Sequence, residues 1–274
     1  MDPELRALAH AQCGVVTRRQ AVKSGMTERQ LKTATQPGGA WVVVRRGAYA
    51  ERWEWDAADE AHRHLMRVVA VTLAGQRPYV LSHTSAAVLH GLSCRPHWRE
   101  LIHVSHPRVN GGRTEGGVKH HPALVPASQI VMAQGCRVTS RERTAVDVAR
   151  EHGLEDGVIA CDEVLRLGGS RAALEAVIAG MWSWPHVTVA RQAVSLADPG
   201  AANMGESMAR LLVIELGFGV PQTQVWLEDG DRRACVDLLL EGHVFEFDGR
   251  RKYVTRERDG VAPDEVERAL WEEK

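Results

Sequence analysis

The sequence predicts a mixed α/β protein built in three successive parts. Three observations carry that expectation. Short capped helical segments fill the first forty residues and lead into a strand pair, long helical periodicities dominate the centre, and the last part sets one helix before a β-meander. The divisions fall at 1–52, 53–198 and 203–274, with "DPGAAN" (198 to 203) as the linker. At 274 residues and 44% hydrophobic side chains, the chain has enough apolar material to fill such cores.

In the first part, "PELRALAHAQCG" places Leu5, Leu8, Ala9 and Ala11 on helical spacing ahead of Gly14. Thr17 is an N-cap for "RRQAVKSG", and Thr27, with Gln30 three residues on, makes a capping box for the next helix. "PGG" then breaks the chain, and "AWVVVRRGAYA" reads as two strands around Arg45-Arg46-Gly47. Three helices followed by a β-ribbon is the layout of a winged helix, whose recognition helix enters the DNA major groove. Here that helix would present Thr27, Glu28, Arg29, Gln30 and Lys32. Arg suits guanine and Gln suits adenine, each by paired hydrogen bonds. Arg18, Arg19, Lys23, Arg45 and Arg46 would neutralise phosphates around it. Charge points the same way: residues 1–50 carry eight Lys/Arg against three acids, a surplus that suits double-stranded DNA as partner. The plainer alternative is a small helical domain with solvated cations.

The centre opens with a helix over "DAADEAHRHLMRVVAVTLAG" (56 to 75). "LIHVSHP" is strand-like, and "GGRTEGG" reads as a flexible hairpin tip. "VTSRERTAVDVAREHG", "LEDGVIACDEVLRLGG", "SRAALEAVIAGM" and "VTVARQAVSLAD" continue in helices, the first two with glycine stops. His83 and His90 lie seven apart, beside Ser82 and Ser85, and read as packing residues on one helix face. His120 and His121 follow the glycine-rich loop and read as solvent-facing. Arg143 and Asp147 are spaced i,i+4 and would form a structural salt bridge, with a ligand contact as the alternative.

The last part supplies a helix in "GESMARLLVIELGFG" and three strands in "TQVWLEDGDRRACVDLLLEGHVFEFDG", with hairpins at Asp229-Gly230 and Glu241-Gly242. In "VFEFDGRRKY" (244 to 253), Glu246 and Asp248 alternate with Phe245 and Phe247, so on a strand they share a face. Glu206 on the helix, Asp237 on one strand, Glu246 and Asp248 on the next, and Lys252 beyond them supply the parts of a phosphodiester-hydrolysing site. Carboxylates would hold Mg²⁺ or Mn²⁺, and the cation would stabilise developing charge. Residues 201–274 carry sixteen acids against ten Lys/Arg, which suits a cation site. A solvated hairpin edge protected by its charges is the alternative.

Cys13, Cys94, Cys136, Cys161 and Cys235 are scattered with no CxxC pair, which excludes a disulfide framework and a zinc ribbon from the expectation. No apolar run approaches the roughly 20 residues that span a bilayer, and the N-terminus lacks the layout of a signal peptide. A cytoplasmic protein without a membrane partner is expected.

The segment "GVVTRRQAVKSGMTERQLKTATQPGGAWVVVRRGAYA" resembles the N-terminal winged helix of AbiEi-type antitoxins. "LSHTSAAVLHGL", "IHVSHP" and "VTSRERTAVDVARE" are similar to the second domain of the same proteins. That resemblance implies a regulator that binds its own promoter, with a cognate toxin protein as partner. "GESMARLL", "PQTQ", "VDLLL" and "EFDG" resemble the PD-(D/E)XK nuclease superfamily, in its very-short-patch-repair-like branch. By that resemblance Asp237 and Glu246 would ligate the metal, Glu206 would assist, Gln224 would shape the site and Asp248 would add to the acidic pocket. The pattern departs from the superfamily in two places: Asp248 stands where a lysine is usual, and Lys252 where this branch carries histidine. The chain stops at "DEVERALWEEK", where such domains continue with a further strand and helix, so the resemblance implies an incomplete nuclease-like domain.

Overall fold

The computed structural model describes residues 2–75, 79–93, 95–107, 111–230 and 232–247. They form a mixed α/β structure in two compact units, Met1–Ala197 and Asp198–Lys274. Among the described residues there are eleven α-helices and three sheets.

The first unit opens with α1 (Pro3–Ala11), capped by the Asp2 side chain, which accepts from the backbone of Glu4 and Leu5. Then come β1 (Val15–Thr17), α2 (Arg18–Lys23), α3 (Glu28–Ala34), β2 (Trp41–Arg45) and β3 (Ala48–Glu51). Both threonine caps are made as the sequence reading expects. Thr17 closes a capping box with Gln20 and Thr27 one with Gln30, so each short helix starts with its orphan N–H groups satisfied. The strands pair antiparallel in the order β1-β3-β2. Strand β1 was not expected, because three buried residues are too few to give an alternating pattern. Leu5, Ala9, Val16, Ala21, Leu31 and Trp41 form a small core. Val15, Ala48 and Ala50 face a different one, shared with Met66, Val69, Leu81, Val104 and Val138.

Beyond α4 (Arg52–Ala57) and α5 (Glu60–Ala74, capped by Asp59), the centre is a six-stranded sheet. Its strands are β4 (Val80–Leu81), β5 (Ile102–His106), β6 (Arg113–Glu115), β7 (Val118–Pro122), β8 (Ile130–Ala133) and β9 (Cys136–Thr139), in the order β6-β7-β5-β4-β9-β8. β5 runs parallel to β7 and β4 parallel to β9, and the other neighbours are antiparallel. "GGRTEGG" is therefore more than a hairpin tip. Gly116 and Gly117 both take positive φ (56° and 75°), which closes a tight turn and pairs β6 with β7. Helix α6 (His83–Leu89) packs on β5 and β9, and α7 (Arg141–His152), capped by Ser140, packs on α6. α8 (Leu154–Arg166), α9 (Arg171–Ala179) and α10 (Val187–Leu196) surround α7, whose residues 143–149 are all buried. Only glycine fits at 157, where an added Cβ would meet the Ala149 Cβ at 2.5 Å.

The second unit contains α11 (Met204–Glu215), β10 (Gln222–Asp229), β11 (Arg232–Leu240) and β12 (His243–Phe245), the strands forming an antiparallel meander. Its turns lie where expected, with positive φ at Gly230, Glu241 and Gly242. β12 ends at Phe245, so Glu246 stands just beyond the strand and is exposed. Asp248 and Lys252 lie outside the described residues. No helix among the described residues is long and apolar enough to cross a membrane.

Candidate functional site

The proposed recognition helix α3 exposes Thr27, Glu28, Arg29, Gln30 and Lys32, and Arg18, Arg19, Lys23 and Arg46 are exposed around it, with Arg45 half-buried. Four of these side chains are already engaged in pairs within the protein, Thr27 with Gln30 and Arg18 with Glu28. Gln30 Oε1 accepts from Thr27 N at 2.8 Å and from Thr27 Oγ1 at 2.9 Å, so a two-bond adenine contact would have to break the capping box. Arg18 holds Glu28 through two bonds, Nε–Oε2 at 3.1 Å and Nη2–Oε1 at 2.6 Å. Arg29 and Lys32 are left as the exposed cations of this helix.

In the second unit, Glu206, Gln224 and Asp237 come together. Gln224 Nε2 donates to Glu206 Oε2 at 3.2 Å and to Asp237 Oδ1 at 3.4 Å. Gln224 takes φ of 50°, left-handed backbone in mid-strand, while the pairing keeps register on both sides (Thr223 with Leu238, Val225 with Val236). Such a conformation costs on the order of 1 kcal/mol or more. Glu206 is buried at the start of α11 and also accepts from Ala202 N and Asn203 Nδ2. Asp237 Oδ2 accepts the backbone N–H of Phe247 at 2.9 Å. The Phe247 ring lies against Gly205, where an added Cβ would sit 2.0 Å from the ring. The convergence of helix and strand acids expected from the sequence is thus present for Glu206 and Asp237, with an amide between them.

A third constellation lies in the central sheet. β5 and β7 run in parallel with His103 beside Lys119 and Ser105 beside His121, so His103 and His121 share one sheet face. His83 is the first residue of α6, in left-handed backbone at φ of 51°. Its ring stacks on His121 with centroids 3.7 Å apart and planes 18° apart. His103 Nδ1 and His121 Nε2 share a hydrogen bond at 3.0 Å, and one nitrogen of each of the three rings lies within 4.8 Å of the others. His83 Nδ1 and Ser82 Oγ share a hydrogen bond at 2.9 Å, and Ser82 Oγ accepts from Ser105 Oγ at 2.8 Å. His120 points to the opposite face, where it is buried with His106 and Tyr79. His120 and His121 are therefore not the solvent-facing pair that the glycine-rich loop suggested.

Against the histidines stands α7. Arg143, Asp147 and Arg150 fall on one face at i, i+4 and i+7. Asp147 is wholly buried and accepts from Arg143 Nε at 2.8 Å and from Arg150 Nη1 at 2.9 Å. Arg143 Nη1 also donates to Gln129 Oε1 at 2.9 Å, and Arg150 Nε to the Pro185 carbonyl at 3.0 Å. Both guanidiniums lie over the Trp184 ring, 4.9 Å and 4.8 Å from its centroid. The sequence does contain the Arg143–Asp147 pair. It gives no sign that Arg150, Trp184 and three histidines from separate elements join it.

Burial is the main cause that holds His103 and His121 down to about 2 and His83 well below its ordinary value, with neighbouring imidazoles and cations adding to it. All three rings are neutral at pH 7. Burial also lowers Arg150, against the pull of Asp147.

Comparison with known proteins bears on this central region. A family model described as the AbiEi antitoxin C-terminal domain matches residues 79–181. Two proteins of Mycobacterium tuberculosis, both titled uncharacterized, Rv2248 of strain H37Rv and MT2308 of strain CDC 1551, are each 28% identical over 200 residues, which is 73% of this chain and 69% of theirs. A crystal structure of the RV2827C protein from M. tuberculosis aligns with a TM-score of 0.45 and 17% identity, over 75% of this chain and 79% of that one.

The neutral histidines set a pH dependence. In the unfolded chain each takes up a proton near its ordinary value of 6.5, while in the folded state it does not. Below about pH 6.5 the unfolded state therefore binds more protons, and stability falls by up to about 1.4 kcal/mol per pH unit per histidine. Denaturant unfolding at about pH 7.5 and about pH 5.5 should show this loss, and His121→Gln should reduce its slope. A stability that is flat across that interval would contradict the buried neutral assignment.

Proposed function

We propose, on the premise of the antitoxin-domain match over residues 79–181, that the chain is an antitoxin-type regulator that binds double-stranded DNA and a cognate toxin protein. That match is the observation that carries the reading. It covers β4 to β9 and α6 to α9, the same elements that build the histidine–arginine constellation.

DNA binding is the work of residues 1–52 in this reading. The capped order α1-β1-α2-α3-β2-β3 supports it, as does the row of cations on and around α3. Arg29 is the side chain best free to meet a base edge, since Gln30 is occupied in its capping box and Arg18 with Glu28. Arg19, Lys23, Lys32, Arg45 and Arg46 serve phosphates.

A second reading is favoured by one observation, the Glu206–Gln224–Asp237 convergence around a left-handed strand residue. In it, the second unit is a PD-(D/E)XK-like endonuclease domain. Mg²⁺ or Mn²⁺ would activate water there, held by Asp237, Glu246 and Asp248, with Glu206 assisting and Lys252 stabilising charge. The oxygen donors suit such a hard cation. The amide now bridging Glu206 and Asp237 means that these two acids are satisfied without one.

Two measurements separate the readings. In a mobility-shift assay on its own upstream DNA, the full chain should bind with strong salt dependence. Arg29→Ala should weaken that binding about tenfold or more, and Lys23→Ala should weaken it on all sequences alike and lower the salt slope by about one. Equal affinity of Arg29→Ala would remove α3 as the reader. Plasmid cleavage with Mg²⁺ or Mn²⁺ tests the nuclease: Asp237→Ala should abolish any cutting, and cutting that persists unchanged in that variant would rule out the site.

A further inference from the structure

The Trp184 side of the central unit contains a cavity of about 480 Å³ lined by His83, His121, Arg143, Arg150, Trp184 and His186, among others. We propose that this cavity binds a phosphate-type oxyanion, as inorganic phosphate or as the phosphoryl group of a monoester.

The inference starts from charge. Two guanidiniums share the single carboxylate of Asp147, and the three histidines are uncharged, so the set carries one surplus positive charge next to a buried surface. Glu151 also lines the cavity, but it pairs with Lys119. A surplus of that sign in a low-dielectric setting favours an anion.

The hydrogen-bond inventory points the same way. Arg143 is 2% exposed, with Nε on Asp147 and Nη1 on Gln129. Its Nη2 is buried and has no hydrogen-bond partner among the described residues. A buried charged donor left unmade is costly, and an oxyanion in the adjoining cavity is the group that would satisfy it. With Ser82 Oγ donating to His83 Nδ1 and His103 Nδ1 donating to His121 Nε2, the tautomers this reading requires, the second nitrogen of each ring carries the proton and can donate in the cavity they line. Donors thus come from α7 on one wall and from α6 and β7 on another. Donors on separate walls suit a tetrahedral oxyanion with acceptors on every side better than a flat carboxylate.

A metal ion is the competing occupant, since His83, His103 and His121 offer three nitrogens within 4.8 Å. Two features oppose it. The His83 and His121 rings are stacked face to face, so their in-plane lone pairs do not converge on one point. One nitrogen each of His103 and His121 is already used in their mutual bond, and two guanidiniums stand alongside. The cavity far exceeds the roughly 30 Å³ that one water occupies, so there is room for part of an ester group beside the phosphoryl oxygens. Trp184 roofs both arginines and must shift for Nη2 to be reached, which makes its fluorescence a reporter.

The test is calorimetric titration of the full chain with inorganic phosphate at constant ionic strength, with acetate and Zn²⁺ as parallel arms. The expected result is saturable one-to-one phosphate binding, accompanied by a fluorescence change that is lost in Trp184→Phe. Arg150→Gln, at a largely buried position in the cavity lining, should weaken phosphate about tenfold or more, and so should Arg143→Lys, which keeps the charge but loses the fork. Circular dichroism establishes that each variant is folded, and Arg150→Gln decides alone if Arg143→Lys is not. The proposal is overturned by no saturable phosphate binding up to about 10 mM. It is equally overturned by unchanged affinity in folded Arg150→Gln, by acetate binding as tightly as phosphate, or by Zn²⁺ binding where phosphate does not. The inference stands apart from the antitoxin reading, since toxin capture plays no part in the measurement.

Discussion

The buried carboxylate of Asp147, held between Arg143 and Arg150, is the constraint around which the larger unit is arranged. An isolated charge in a protein interior costs several kcal/mol, and the guanidiniums of Arg143 and Arg150 offset that cost for Asp147. The pairing places Arg143, Asp147 and Arg150 on one face of α7, and both arginines line one cavity with His83 and His121. Trp184 covers both arginines, Gln129 takes one further donor of Arg143, and the Pro185 carbonyl takes one of Arg150. Ala145, Val146, Val148 and Ala149 of α7 are apolar and buried, with helices packed around them and Gly157 permitting α8 to approach Ala149 closely. A buried ion set of this kind is weak support for stability, since apolar replacements of similar volume often hold a fold as well or better. Its presence beside a cavity and three neutral histidines points to recognition as its use.

The two ends of the chain put their charge to different uses. At the N-terminal end, cations stay exposed on short helices whose caps are satisfied internally, so little of the positive charge is consumed by folding. In the second unit the opposite holds: Glu206 and Asp237 spend their oxygens on backbone N–H groups and on Gln224. The first arrangement leaves cations available to a polyanion. The second ties helix α11 to strands β10 and β11 and to Phe247, whatever chemistry that corner performs.

How much of this was legible in the sequence followed the range of the interactions. Caps, turns and helical periodicity are local, so Thr17, Thr27, the Gly230 and Gly242 turns and the run of central helices were readable. β1 was too short to show a pattern, and β6 was hidden among glycines. His103 and His121 meet because β5 and β7 run parallel in adjacent positions, a pairing between segments separated by a glycine-rich hairpin. Nothing in either segment announces its partner, and for that reason an adjacent His-His pair after a loop was read as solvent-facing. In the second unit, Glu206 and Asp237 were expected to converge and do. Gln224 between them was expected only through resemblance, because a left-handed residue inside a strand has no sequence signature when it is not glycine or asparagine. Glu246 of "VFEFDGRRKY" reads as a strand residue, whereas β12 stops at Phe245, and Asp248 lies outside the described residues.

The central claim is that the segment matching the antitoxin domain makes this chain a toxin partner. The direct measurement is growth of cells expressing the protein encoded beside this one, with and without the full chain. The account predicts that the neighbour arrests growth and that the wild-type chain restores it. The folded apolar variant Arg143→Met/Asp147→Leu/Arg150→Met should restore it less than wild type. A neighbour whose toxicity is unaffected by the wild-type chain would contradict the account.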